Sequence, residues 1–182
     1  MRNSTQQKPV LYVASLADYA TIENMWRYYV YDMGHYCGFI KGWECPIELS
    51  FTPDDLTHYF IDQAKQVYLV KVGEQLAGFV FLKKCVVSSS VEWKVCEFFI
   101  AGKYQGIGIG QQVAKEVFSL YPRKWSLTVL PENLGALKFW RKTIKEVLCV
   151  KFTEVHKTAE ELVTPENPDP YPVIAFNFSF LG

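Results

Sequence analysis

Apolar and polar residues change period several times along this chain, and the changes mark out a succession of short strands and helices. Val10 to Ala14 is a short β-type run. Leu16-Ala17-Asp18 leads into a stretch reaching about Met33, in which Tyr19, Ile22, Met25 with Trp26, Tyr29 and Met33 recur at spacings of three and four, one face of a helix. The stretch from Gly34 to Pro53 is punctuated by Gly34, Gly38, Gly42, Pro46 and Pro53 and reads as loop. Thr52 or Asp54 is a candidate cap for a second helix over roughly Asp55 to Lys65. Gln66 to Val72, Gly73-Glu74 and Gln75 to Lys83 predict a β-hairpin. Ser88-Ser89-Ser90 then turns the chain into a third antiparallel strand, Val91 to Ile100.

A different pattern follows. Gln105-Gly106-Ile107-Gly108-Ile109-Gly110 separates the apolar Val95 to Ile100 from an amphipathic stretch, Gln111 to Tyr121. Val113, Val117 and Leu120, with Ala114 and Phe118, give that stretch an apolar face, and Pro122 stops it. Trp125 to Leu130 is the parallel strand that such a crossover requires. Ala136, Phe139 with Trp140, Thr143 with Ile144, and Val147 line one face of a further helix whose cap is Asn133. Val147 to Val155 and Val173 to Phe180 are β-rich, and the polar loop between them carries Pro165, Pro168, Pro170 and Pro172. The expectation is an α/β (α+β) fold, a mixed, mostly antiparallel central sheet flanked by helices. No repeat or domain boundary interrupts it.

Composition narrows the class. With 182 residues, 49% of them hydrophobic and 21% charged, the chain suits one compact domain over residues 1–182, with about residues 1–8 as a mobile start. A net charge of +0 and a pI near 6.8 disfavour nucleic acid or an anionic membrane as partner. Five cysteines, odd in number and without a C-x-x-C pair, indicate neither a disulfide framework nor a metal site. The N-terminus has no apolar signal region, and no run approaches the roughly 18 apolar residues of a membrane span. A cytoplasmic protein is expected, with a homodimer left open.

The glycine run carries the candidate chemistry. Without a Cβ, Gly108 and Gly110 allow close approach to a ligand or a positive φ, and the first amides of a helix lack partners within it. Those N–H groups, at the positive end of the helix dipole, favour phosphate or pyrophosphate. On glycines alone, a plain turn between a core strand and a core helix is an equal reading.

The residues around the run decide between the two. Gln105-x-x-Gly108-x-Gly110, following Glu97-Phe98-Phe99-Ile100-Ala101-Gly102-Lys103-Tyr104, resembles the acetyl-CoA loop of the GNAT superfamily of N-acetyltransferases. Asn133-x-x-Ala136-x-x-Phe139-Trp140, after Trp125 to Leu130, resembles that family's Asn-x-x-Ala-x-x-Leu/Phe-Tyr segment. Together they cover roughly Val95 to Lys145, and the N-terminal part agrees with the family in the order and length of its elements. The resemblance implies the GNAT fold, with acetyl-CoA as co-substrate and no metal. It implies that amides of Gln105, Gly106, Ile107, Gly108, Ile109, Gly110 and Gln111 hold the pyrophosphate, and that the strand edge at Phe99 and Ile100 pairs with the pantetheine. Asn133 would contact the cofactor from the next helix, a simple helix cap being its alternative role.

The implied reaction is transfer of an acetyl group from acetyl-CoA to a primary amine of a small molecule or peptide by direct attack. Such an amine arrives largely as ammonium, since a Lys-like amine has a pKa of about 10.4. Glu97, an isolated carboxylate in an apolar strand where several family members are acidic, is the candidate catalytic base, with a structural ion pair as the alternative. Trp140 departs from the family, which commonly has a Tyr there to protonate the departing thiolate, because an indole offers an N–H but no accessible acid. That departure keeps a second reading in view, a non-catalytic acyl-CoA-binding or sensing module. A Rossmann site is disfavoured by the G-x-G-x-G spacing after an antiparallel run. The aromatic stretch Trp26 to Asp32 lies where the family builds its acceptor pocket, although Trp26 and Tyr29 also read as core. Asp32 or Glu44 could draw in a cationic amine, and His35, His58 and His156 read as surface or loop residues.

Overall fold

The computed structural model describes residues 8–38, 40, 55–87, 90–165, 167–168 and 170–181. Glu44, Cys45, Thr52, Asp54 and the Ser88-Ser89 turn lie outside the described residues. The strands are β1 (Pro9–Val13), β2 (Lys65–Val72), β3 (Gln75–Val87), β4 (Ser90–Ile100), β5 (Arg123–Val129), β6 (Phe152–Lys157) and β7 (Val173–Phe180). They form one sheet in the order β1-β2-β3-β4-β5-β7-β6. Among the described strands, only β4 and β5 pair in parallel. The helices are α1 (Tyr19–Cys37), α2 (His58–Ile61), α3 (Ile109–Leu120) and α4 (Leu134–Lys142). The expected mixed sheet and the strand, glycine loop, helix, strand order are both present.

Alternation along the strands sends residues to two separate cores. Val67, Leu69, Phe79 and Phe81 pack on one face with Ile22 and Trp26 of α1. Tyr68, Val70, Val80 and Leu82 pack on the other with Val113 and Val117 of α3 and Leu137 of α4. Ile22, Phe79 and Phe81 are fully buried, and burial of such a side chain contributes about 1.5–3 kcal/mol. The sheet is therefore a partition, with α1 and α2 on one side and α3 and α4 on the other. No helix among the described residues is long and apolar enough to cross a membrane.

Three boundaries differ from expectation, each for a local reason. The second helix, expected over roughly Asp55 to Lys65, is the single turn His58–Ile61. Asp62 leaves it in an extended conformation, its carboxylate accepts the Ala64 N–H at 2.9 Å, and Lys65 already pairs with Lys83. Helix α1 runs through Gly34 to Cys37, because Cys37 is still buried and donates its thiol to the Met33 carbonyl. Val147 belongs to a π turn, Thr143–Val147, and not to a strand. Cys149 then reverses the chain at φ 56°, so β6 begins only at Phe152.

Candidate active site

The parallel pair opens partway along its length. Pairing of β4 with β5 runs from Glu92 opposite Lys124 to Val95 opposite Leu127 and stops there, although β4 continues to Ile100. At that point β4 carries a bulge: Leu82 pairs with Val95 while its neighbour Phe81 pairs with Glu97, leaving Cys96 as the extra residue. A bulge bends its strand and ends pairing locally. It also resets the faces, since strict alternation from Val95, which points to the α3 side, would send Glu97 to that side too. Instead Cys96 and Phe99 pack toward α1 and α2 with Glu97 between them, whereas Phe98 and Ile100 pack toward α3 and α4.

Two cavities meet at this opening. The larger, about 1220 Å³, runs from the C-terminal half of α1, past the end of β4, to the glycine loop and α4. It exceeds the roughly 300–1,000 Å³ of a site for one small molecule, which leaves room for two reactants. The smaller, about 210 Å³, fills the gap between β4 and β5 and is lined by Glu97, Thr128, Leu130 and Tyr171 among others. Glu97 is the only side chain lining it, among the described residues, that carries a formal charge at neutral pH.

The glycine run forms the entry to α3. Gly106 and Gly108 sit at φ 73° and 87°, the left-handed region that favours glycine, and Gly108 is the residue before the first turn. A Cβ on Gly106 would meet nothing within 4 Å and one on Gly108 only the tip of Gln112, so both face open space. Gly110 plays a different part from the expected one: its φ is not positive, and a Cβ there would stand 3.1 Å from the Phe139 ring. Gln105, Gly106, Gly108, Gly110 and Gln111 line the larger cavity. The side chains of Ile107 and Ile109 do not: Ile107 is exposed and Ile109 is fully buried in the core, leaving only their backbone for the loop. The amides of Ile109, Gly110 and Gln111 open the helix and have no acceptor within it.

Other predicted residues gather around the same space. Phe99 and Ile100 end β4 at the larger cavity, and the Gln105 side chain donates to the Ile100 carbonyl at 2.6 Å, tying the loop to the strand end. Asn133 lines both cavities and caps α4, its side-chain oxygen accepting the Ala136 N–H at 2.9 Å. Trp140 also lines both, 5% exposed and set edge-on to Phe98 with ring centroids 5.0 Å apart. Asp32 and His35 border the larger cavity, whereas His58 and His156 lie exposed away from it. No three His, Cys, Asp or Glu side chains among the described residues come together as a metal site.

Glu97 is not isolated. Tyr29 of α1 donates its hydroxyl to Glu97 Oε2 at 2.5 Å. Burial, and the carboxylate beside it, push the Tyr29 phenol well above its ordinary value, so it remains a donor at any working pH. The neighbouring Cys96 thiol is pushed up by burial.

Comparison with known proteins agrees with this geometry. The model of the acetyltransferase (GNAT) family matches residues 36–144, from the end of α1 through α4. The chain belongs to the GNAT acetyltransferase family. No curated protein matches it. Among solved structures, the GNAT fold of this chain is similar to that of Arabidopsis thaliana Naa50, solved with the bisubstrate analogue CoA-Ac-MVNAL, at 14% identity over 95% of this chain and 99% of that one, TM-score 0.61. An acetyltransferase from Thermus thermophilus is 15% identical over 94% and 97%, TM-score 0.63. A chimera of the Vibrio cholerae spermidine N-acetyltransferase SpeG with hSSAT is 16% identical over 94% and 95%, TM-score 0.60.

Several residues lining these cavities were not named from sequence as binding or catalytic. Tyr36 of α1 lines the larger cavity beside Met33, and its spacing of three from Met33 and seven from Tyr29 continues the face that the periodicity ended at Met33. Phe98, Ala136 and Lys142 line it as well, and Tyr171 reaches the smaller cavity from a loop whose prolines carry no sign of it.

Proposed function

We propose that this chain is a single domain over residues 1–182 that transfers an acetyl group from acetyl-CoA to a primary amine of a small molecule or peptide, by direct attack of the amine on the thioester. One observation carries the reading: the strand edge beyond Val95, the open glycine turn and a carboxylate converge on connected cavities. The residues fit the co-substrate. Gln105 leaves the set that the resemblance implied, since its N–H already donates to the Gly102 carbonyl at 3.2 Å. The N–H groups of the turn and first helical residues beyond it, up to Gln111, with Gly106 and Gly108 leaving the turn open, suit a pyrophosphate. The β4 edge at Phe99 and Ile100, where no described strand pairs on the β5 side and the Gln105 side chain meets the Ile100 carbonyl, suits the amides of pantetheine, in the manner of an added strand.

The thioester supplies an activated acetyl group, and the rest is done by the chain. The bulge directs Glu97 to the α1 side, opposite the glycine loop, so donor and acceptor approach from different faces. There the carboxylate attracts the ammonium and takes its proton, and the neutral amine attacks. Asp32, on the rim, adds to the pull on a cation. A backbone amide near Ile100 stabilises the developing oxyanion. Trp140 has no acid to offer, so the thiolate leaves unassisted by it; a CoA thiol with a pKa near the Cys-like value of about 8.5 is a fair leaving group.

The same Trp140 favours the second reading, an acyl-CoA-binding module without turnover. A thiol-release assay over amines, amino acids, polyamines, aminoglycosides and peptides separates the two. Release of CoA that depends on one class of amine supports transfer. Calorimetric binding of acetyl-CoA with no release across the panel supports the module.

A further inference from the structure

We propose that Tyr29 is a positioning residue for Glu97: its phenol fixes one carboxylate oxygen where the two cavities meet and so presents the carboxylate to the acceptor amine. The inference rests on the reading of Glu97 as proton acceptor. The Tyr29 ring is held by Trp26 at 5.0 Å, Phe79 at 5.7 Å and Phe99 at 6.0 Å between centroids, so its hydroxyl has a defined place. Six described residues line both cavities, Tyr29, Met33, Phe98, Asn133, Ala136 and Trp140, and Tyr29 alone among them is titratable. Glu97 needs such an anchor. It directly follows the bulged Cys96, where the regular alternation that would otherwise orient its side chain is interrupted.

Among the described residues, the groups that face the pair are mostly uncharged, although the Lys94 charge acts on the adjacent Cys96. Cys37 lies near on α1, Tyr59 on α2, Cys96 beside Glu97 on β4 and Tyr171 ahead of β7, while Phe81 of β3 and Thr128 of β5 are not titratable. Burial pushes the Tyr59 phenol and the Cys37 and Cys96 thiols up, so none of them ionises near neutrality. A hydroxyl donated to a carboxylate favours the charged form, and a charge-assisted bond is stronger than a neutral one. The proton balance is simple. The N–H bond of the substrate ammonium breaks, an O–H bond forms on Glu97, the proton later passes to water, and the Tyr29 O–H stays intact throughout.

The test uses the full chain and Tyr29→Phe, which keeps the ring and removes the donor. With ¹³C-labelled glutamate carboxyls, and Glu97 assigned by its loss in Glu97→Gln, the acid titration midpoint of Glu97 should rise by about one pH unit in Tyr29→Phe. A fluorinated tyrosine at position 29, a stronger donor of nearly the same shape, should lower the midpoint, which guards against a packing artefact or an unfolded Phe variant. With spermidine and the peptide MVNAL as amine probes, kcat/KM for the amine should fall about tenfold in Tyr29→Phe, its acidic limb should move with the midpoint, and calorimetric acetyl-CoA affinity should stay within twofold. An unchanged midpoint overturns the proposal whether or not either probe is acetylated. A midpoint that moves while kcat/KM does not overturns it as a statement about catalysis. Wild-type rates in Glu97→Gln would instead sink the assignment of Glu97 as proton acceptor, with the Tyr29 to Glu97 coupling still read by the titration.

Discussion

Gly78 of β3 lies so close to the end of β4 that a Cβ on it would stand 2.0 Å from the Phe99 carbonyl oxygen. Gly78 pairs with Ile100, the last residue of β4, and the adjacent Ala101 N–H bonds to Ala77 at 2.8 Å. This close approach holds the strand end where the opening toward β5 begins. Gly78→Ala would force two backbones apart, a strain with no flexible atom to absorb it. We expect a loss of about 1–3 kcal/mol, read as a lower denaturant midpoint at constant slope. Stability within about 0.5 kcal/mol of wild type would mean the strands separate freely.

The two glycines of the loop motif should fail differently. Gly108→Ala places a side chain at φ 87°, where an L-residue pays about 1–2 kcal/mol. Its Cβ meets only open cavity, so the added loss should appear in acetyl-CoA Kd, measured by calorimetry, and should grow in Gly108→Val. Gly110→Ala instead meets the Phe139 ring at 3.1 Å. If the ring resists, the effect of Gly110→Ala should depend on it, and Gly110→Ala/Phe139→Leu should show a coupling of at least about 0.5 kcal/mol in a double-mutant cycle. Strict additivity would contradict the contact.

Much of this arrangement was legible because its cues are local. The three-and-four spacing from Tyr19 to Met33, the Gly73-Glu74 turn, the Gly108 turn into α3 and the Asn133 cap each act within a few residues, and each stands where the pattern placed it. The bulge at Cys96 was not legible. Val95-Cys96-Glu97-Phe98 reads equally well in either register, and the choice is made by pairing with Phe81 and Leu82 on another strand. The bond between Tyr29 and Glu97 spans 68 positions, and periodicity could class Tyr29 only as a core aromatic. The short α2 and the π turn after α4 were missed because nearby apolar residues fit a helix or strand repeat as well as the turns they form.

Helix α4 is tied to β6 by a forked ion pair, Arg141 Nε donating to Glu154 Oε2 at 2.9 Å and Nη2 to Oε1 at 2.5 Å. These bonds hold the Glu154 carboxyl below its ordinary range. A carboxyl lowered on folding stabilises the native state above its unfolded value, and the contribution is lost as pH falls through the folded value. Wild type should therefore melt above Glu154→Gln at pH 7 and lose that advantage in acid. The pair is partly exposed, so solvent screening limits the gap to at most about 3 °C. A gap that persists or widens in acid would reverse the sign and refute the linkage.

Glu97→Gln tests the chemistry directly. Glutamine keeps the size and can still accept the Tyr29 hydroxyl, so the fold and the acetyl-CoA affinity should be retained while the capacity to take a proton is lost. A positioned base typically contributes about 10²- to 10⁴-fold, which sets the expected drop in kcat/KM for the amine. The acidic limb of the pH profile should vanish with it. The remaining activity should climb with pH toward the amine's own pKa, because the amine must then arrive neutral. The site's composition sharpens the comparison with simple substrate binding. Glu97 is the only formally charged side chain lining the smaller cavity among the described residues, so a carboxylate that merely attracted the cation would show its loss in amine KM at unchanged kcat. A lower Tm with normal kinetics would mark it as a structural partner of Tyr29 alone. Rates within about twofold of wild type across the pH range would remove Glu97 from proton transfer and leave ordered water at the β4 opening as the acceptor.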